Sequence, residues 1–177
     1  MTQHTLSVEL EDKPGALARV SQLFSRRGYN IQSLAVGPTE RPDISRLTLR
    51  VDCSEHSLEQ IEQQMHKLVN VLGVTELRAE ESVESELALL TVAVAPEARA
   101  ELVALGERPG VRVAESGPDA ITFEIVGRPG DVAAFEALVR PHGVLELART
   151  GRIGLRRPQR NPEGQTPDTA RRDTSGV

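Results

Sequence analysis

The period of the hydrophobic positions changes repeatedly along the first 80 residues. Leu6, Val8 and Leu10 alternate with Ser7 and Glu9, the period of two of a half-buried strand. Pro14 follows where a first helical residue belongs, with Asp12 ahead of it as a cap. Leu17, Val20, Leu23 and Phe24 then recur at helical spacing until Gly28 closes the helix. Residues 30–37 (NIQSLAVG) read as a second strand, Pro38 to Asp43 as a turn, and Leu47, Leu49 and Val51 as a third strand. A second helical stripe takes in Leu58, Ile61, Met65, Leu68, Val69 and Leu72. Gly73 ends it, and Val74 to Leu77 supply a fourth strand. The order β-α-β-β-α-β predicts a ferredoxin-like unit, an antiparallel sheet with both helices on one face.

The same order repeats. Leu87 to Val94 is an apolar strand, and Pro96 opens a short helix with Ala98, Leu102 and Leu105 on one side. Val111 to Val113 and Ile121 to Val126 form strands around the turn Gly117-Pro118-Asp119. Pro129-Gly130 opens a helix with Val132, Phe135, Leu138 and Val139 inward, and Val144 to Ile153 closes the unit. The fold class is therefore α+β, two ferredoxin-like domains in tandem, spanning residues 1–82 and 83–156 with a boundary near Ser82–Ser85. From Arg157 onward Pro, Gly, Gln, Thr and Arg dominate, a composition that cannot offset the entropy of ordering. Residues 157–177 are expected to be a disordered tail.

Composition narrows the function. The chain has 177 residues, 38% hydrophobic and 27% charged, with three Phe, one Tyr and no Trp, so the core must be aliphatic. The formal net charge is −5 and no polybasic block stands out, which argues against nucleic acid. An RNA-binding ferredoxin-like domain would also need aromatics on its central strands, and strand 44–51 has none. The single cysteine, Cys53, rules out a disulfide within the chain, and no apolar run is long enough to span a bilayer. The start MTQHTLSVEL does not resemble a signal peptide, so a cytoplasmic protein with no membrane partner is expected.

Catalytic constellations are hard to assemble from these residues. His4, His56, His66 and His142 lack metal-ligand spacing and read as surface histidines, and Cys53 reads as a buried structural thiol despite the nearby His56. There is no P-loop, G-x-G-x-x-G, G-x-S-x-G or H-E-x-x-H. Expected catalytic and metal residues are none, and the odds shift to binding.

The segment after the first strand has the groups a free amino acid requires. Gly15 lets a ligand approach backbone, and the amides of Gly15, Ala16 and Leu17 are expected to lie unpaired at a helix start, where they suit a carboxylate. Asp12 is an acceptor for an ammonium, Asn30 both donates and accepts, and Ile31 offers an apolar wall. Taken alone, Asp12-Lys13-Pro14-Gly15 reads first as a capped strand-to-helix turn and second as such a site.

A strand followed by D-x-P-G-x-L, then a helix, in a β-α-β-β-α-β order resembles the ACT domain, an amino-acid-binding regulatory module. LEDKPGALARVSQLFSRRGYNIQSLAVGPTE, followed by SRLTLRV, LEQIEQQMHKLVNVLGV and LARTGRIGL, resembles the small regulatory subunit of acetolactate synthase (acetohydroxyacid synthase) over residues 4 to 157. That resemblance implies a non-catalytic chain that holds no cofactor. It would activate a separate large subunit carrying thiamine diphosphate, magnesium and FAD, and confer feedback inhibition by valine or another branched-chain amino acid. It also implies a homodimer through ACT domains. The effector site would then be Asp12, Gly15, Ala16 and Leu17 of one copy with Asn30 and Ile31 of the other. Some relatives carry Asn at the position of Asp12, and the second half diverges most. Residues 1–82 would bind effector and dimerise, and 83–156 would assemble and activate. The competing reading is an ACT-type sensor acting on a different enzyme or on transcription. A small enzyme on this fold is a further alternative, although no residue cluster suggests its substrate.

Overall fold

A computed structural model describes residues 3–53 and 58–158. His56 and residues 159–177, on which expectations were placed above, lie outside the described residues. The first unit runs β1 (Gln3–Glu11), α1 (Ala16–Arg27), β2 (Asn30–Pro38), β3 (Ile44–Asp52), α2 (Leu58–His66) and β4 (Val71–Glu76). Its four strands are antiparallel in the order β2-β3-β1-β4. The second runs β5 (Ser82–Ala93), α3 (Arg99–Leu105), β6 (Val111–Ser116), β7 (Ala120–Gly127), α4 (Pro129–Val139) and β8 (Val144–Arg149), in the corresponding order β6-β7-β5-β8. The chain is thus the α+β tandem of ferredoxin-like units that its periodicity predicts.

Each unit has its own aliphatic core. Leu6, Val8 and Leu10 of β1 and Leu47, Leu49 and Val51 of β3 meet Val20 and Phe24 of α1 and Ile61 and Met65 of α2. In the second, Leu90, Val92 and Phe123 meet Leu102, Val132 and Phe135. The scarce aromatics pair edge to face within a unit: Phe24 with Tyr29 at 5.5 Å and Phe123 with Phe135 at 5.4 Å between ring centroids.

Four local expectations are corrected. Pro14 is not the first helical residue and Asp12 is not a cap. The N-cap of α1 is Gly15, left-handed at φ 85°, with no side-chain cap bond. The helical stripe through Leu72 stops early, because α2 ends at His66. Tight turns from Met65 to Leu68 and from Leu68 to Val71 replace helix, and Asn70 uses its carbonyl on the Glu11 amide at 2.9 Å. Gly73 therefore sits inside β4 opposite Glu9 and ends nothing. Leu138 is 41% exposed, since Val132, Phe135 and Val139 already fill the single stripe that faces the sheet. Finally, Val144 to Ile153 is not one strand. The chain turns after β8 at Gly151, φ 78°, and returns as β9 (Ile153–Arg156), which pairs Ser82–Ser85 at the start of β5. Arg157 continues the order past β9, its amide donating to the Glu81 carbonyl at 2.7 Å.

The β5–β9 ribbon lies against the first unit. A Cβ on Gly154 would come within 2.6 Å of Leu77 Cδ1, and one on Gly151 within 3.2 Å of Ser33 Cβ. Thr5, Ser7 and Thr48, on the sheet face away from the helices, are buried as well.

Candidate functional site

Strand order places the candidate turn. β1 and β2 both run antiparallel to β3, so their C-terminal ends share one edge of the sheet: Glu11 lies opposite Ile44 and Pro38 opposite Ser45. A cleft of about 410 Å³ opens there, lined by Asp12, Ala16 and Leu17 of the turn and α1 with Leu10, Val36 and Pro38. The lining is apolar along Leu10, Leu17 and Val36 and charged at the rim. No Cβ contact would be met at Gly15, so the space beside this left-handed residue is open.

The donors at the helix start differ from expectation. The Ala16 amide is not free, because it donates to the Lys13 carbonyl at 3.1 Å and closes the turn. The amides of Gly15, Leu17 and Ala18 meet no acceptor among the described residues. Orphan donors at a helix N-terminus, with the dipole behind them, form an anion-binding arrangement. The turn is further fixed by the Asp12 amide on the Asp43 carbonyl at 2.7 Å and the Lys13 amide on the Glu11 carbonyl at 2.9 Å. Asp12 itself is exposed.

Asn30 and Ile31 are not brought to this cleft within one chain. Asn30 pairs with Asp52 at the opposite end of the sheet, where β1 begins with Gln3. The eight residue steps to Pro38 span roughly 26 Å at about 3.3 Å each. Their strand β2 is an edge strand that pairs with β3 alone among the described residues.

Glu11 and Asn70 are a feature that sequence reasoning missed. Asn70 Nδ2 donates to Glu11 Oε2 at 2.7 Å and Lys13 Nζ lies 3.3 Å from Glu11 Oε1. The Asn70 bond first, then Lys13, hold the Glu11 carboxyl below the usual carboxylate range. The pair spans 59 positions, beyond the reach of local pattern. Val36 to Pro38 were also missed, although the strand order of the fold alone places them beside the turn.

Cys53 and His4 have structural surroundings. Cys53 is half-buried against the first core, and burial, then Asp52 and Glu76, push its thiol pKa up, away from nucleophile chemistry. His4 is not a free surface histidine: its Nδ1 lies 2.6 Å from Glu76 Oε1. Among the described residues, no group of three or more His, Cys, Asp or Glu converges as metal ligands, and no helix is long and apolar enough to cross a membrane.

Comparison with known proteins gives a consistent picture. Residues 6–73 match the family described as the AHAS small subunit-like ACT domain, and residues 85–158 the family described as the small subunit of acetolactate synthase. The chain is 43% identical over 161 residues to the acetolactate synthase small subunit of Mycolicibacterium smegmatis, covering 91% of this chain and 93% of that one. It is also 43% identical over 161 residues to the acetolactate synthase small subunit of Mycobacterium bovis, covering 91% and 94%. The crystal structure of the acetolactate synthase small subunit from Thermotoga maritima superposes with a TM-score of 0.80 at 36% identity, covering 90% of this chain and 99% of that one.

Proposed function

Because the chain belongs to the acetolactate synthase small-subunit family, a regulatory family of branched-chain amino-acid synthesis, we propose that it activates a catalytic large subunit in the cytoplasm and makes it sensitive to valine. Thiamine diphosphate, magnesium and FAD belong to that large subunit in this reading, and the present chain carries no cofactor. The observation that carries the proposal is the cleft at the Asp12–Leu17 turn, which combines orphan helix-start amides, an exposed carboxylate and an aliphatic wall.

The effector's α-carboxylate takes the Gly15 and Leu17 amides, its ammonium takes Asp12, and its isopropyl group packs on Leu10, Leu17 and Val36. Ala16 shapes the floor rather than donating. The open edge of β2 supplies the rest. If two copies pair β2 antiparallel about a two-fold axis, as isologous dimers do, residue 30 of one copy falls beside residue 38 of the other. Asn30 and Ile31 of a second copy then reach the turn that they cannot reach in their own chain. Asn30 adds a polar contact to the ligand's main-chain groups and Ile31 closes the apolar wall.

Feedback requires that the effector favour one docking state over another, because equal affinity shifts nothing. A ligand bridging two copies has that property, and the coupling to the catalytic subunit should be about 1–3 kcal/mol. Residues 1–82 carry effector binding and pairing, and 83–156 carry assembly and activation. The test is reconstitution with an acetolactate synthase large subunit. Activity should rise on mixing and fall with valine, and a fragment ending at Ser82 should activate poorly. No activation by the full chain, or full activation by the fragment, contradicts the corresponding part.

A further inference from the structure

The β8–β9 turn presses on the strand that bears Asn30 and Ile31. Gly151, at φ 78°, has so little room that a Cβ would lie 3.2 Å from Ser33 Cβ and 3.5 Å from the Leu34 nitrogen. Ser33 follows a register irregularity in β2, which lies between Ile31 and Ser33. The contact is therefore made at a bulge, two residues from Ile31.

The turn is a stiff extension of the second unit. The Thr150 amide donates to the Leu87 carbonyl at 3.0 Å, the Leu87 amide donates back to Thr150 Oγ1 at 3.1 Å, and Thr150 Oγ1 also lies 2.7 Å from the Gly151 carbonyl, to which it donates. Arg152 Nη1 lies 3.0 Å from Glu84 Oε2 on the same ribbon. The bonds to Leu87 and Glu84 tie the turn to β5, which continues through the second core as Leu90 and Val92. A close-packed contact between two stiff elements passes on displacement instead of absorbing it, because packed interfaces switch between discrete arrangements.

On the basis of the effector reading above, we propose that Gly151 and Ser33 form the joint through which the occupancy of the effector site, to which β2 contributes Asn30 and Ile31, is transmitted to the second domain. Both are positioning residues and neither touches the effector. Glycine suits 151 because the backbone there is left-handed and an added Cβ would make β2 or the ribbon give by a few tenths of an ångström.

The test uses the full chain with Gly151→Ala, Ser33→Leu, and the double variant Gly151→Ala/Ser33→Gly, which removes the Cβ that the new methyl would meet. Ser33→Leu loads the joint from the β2 side without left-handed backbone strain. Calorimetry with valine reads the site, and valine inhibition of the enzyme reconstituted with its large subunit reads transmission. Both single variants should bind valine within about threefold of the unmodified chain yet need about tenfold or more valine for inhibition, a shift within the range of allosteric couplings. The double variant should recover inhibition. Unchanged inhibition in either single variant, loss of binding in step with inhibition, or no recovery in the double variant overturns the joint. An unmodified chain that binds none of valine, leucine and isoleucine overturns the effector reading instead, and that result precedes any variant.

Discussion

Replacing Gly15 with Asp probes the cleft through charge. Gly15 is left-handed at φ 85°, and an added Cβ would meet nothing within 4 Å, so the folding cost is conformational rather than steric. For an L residue that cost is about 1–2 kcal/mol, less for Asp, which tolerates the left-handed region. In a chain of this size that amounts to a fall in Tm of roughly 2–8 °C, toward the lower end for Asp. The effect on the ligand is larger. The new carboxylate stands beside the orphan amides of Gly15 and Leu17, where an α-carboxylate would sit. Two like charges about 5 Å apart, at an effective dielectric constant of about 20, repel by about 3 kcal/mol, or more than about a hundredfold in affinity. Gly15→Ala carries the backbone strain without the charge and separates the two contributions. The assay is valine inhibition of the reconstituted enzyme alongside activation without valine. Inhibition should vanish in Gly15→Asp while activation largely survives, with Gly15→Ala closer to the unmodified chain. Undiminished inhibition in Gly15→Asp refutes the placement of the effector at this turn.

Other outcomes follow from the packing and the charges. Gly110→Ala combines left-handed strain at φ 78° with a Cβ 2.4 Å from the Val126 carbonyl oxygen, so β7 must shift. It should cost about 2 kcal/mol or more in a urea melt, whereas Gly28→Ala, strained but with open space around it, should cost about 1 kcal/mol. Equal losses at the two positions would show that the contact with Val126 does not matter. For Glu76, burial favours the neutral acid, but the bonds from His4 and Arg78 outweigh it and leave the carboxyl below its usual range. A depressed folded-state pKa gives stability that is complete above the ordinary carboxylate range and is lost as pH falls through the folded-state value. His4→Ala should therefore start to lose stability at a higher pH on acidification than the unmodified chain, as read from urea midpoints between neutral and acid pH. Coincident acid profiles would contradict this role.

The parts of this fold that depend on local period were legible in the sequence. Leu6-Val8-Leu10 and Leu47-Leu49-Val51 mark their strands by alternation, and Val20-Phe24 and Ile61-Met65 mark helices, because one face of each must be buried. Errors arose where a distant partner overrode the pattern. Leu68 and Leu72 keep a helical rhythm, yet α2 ends at His66 and Asn70 bonds Glu11 at the end of the neighbouring strand β1. Pro14 looked like a helix start because the left-handed cap at Gly15 leaves no mark apart from the glycine itself. At the proposed site the strand-to-helix turn from Asp12 to Leu17 is legible, but the engagement of the Ala16 amide is not, since it depends on the turn's exact conformation. Asn30 and Ile31 lie at the far end of β2, and only a second copy can unite them with the turn.

The most direct measurement of that central claim is calorimetric stoichiometry in mixed dimers. Asp12→Ala removes the ammonium acceptor from one side of the proposed site and Asn30→Ala removes the partner's contribution from the other. Each variant alone should fail to bind valine. A purified heterodimer of one Asp12→Ala chain with one Asn30→Ala chain keeps one intact site and should bind one valine per dimer. A heterodimer that binds none would contradict a site shared between two copies.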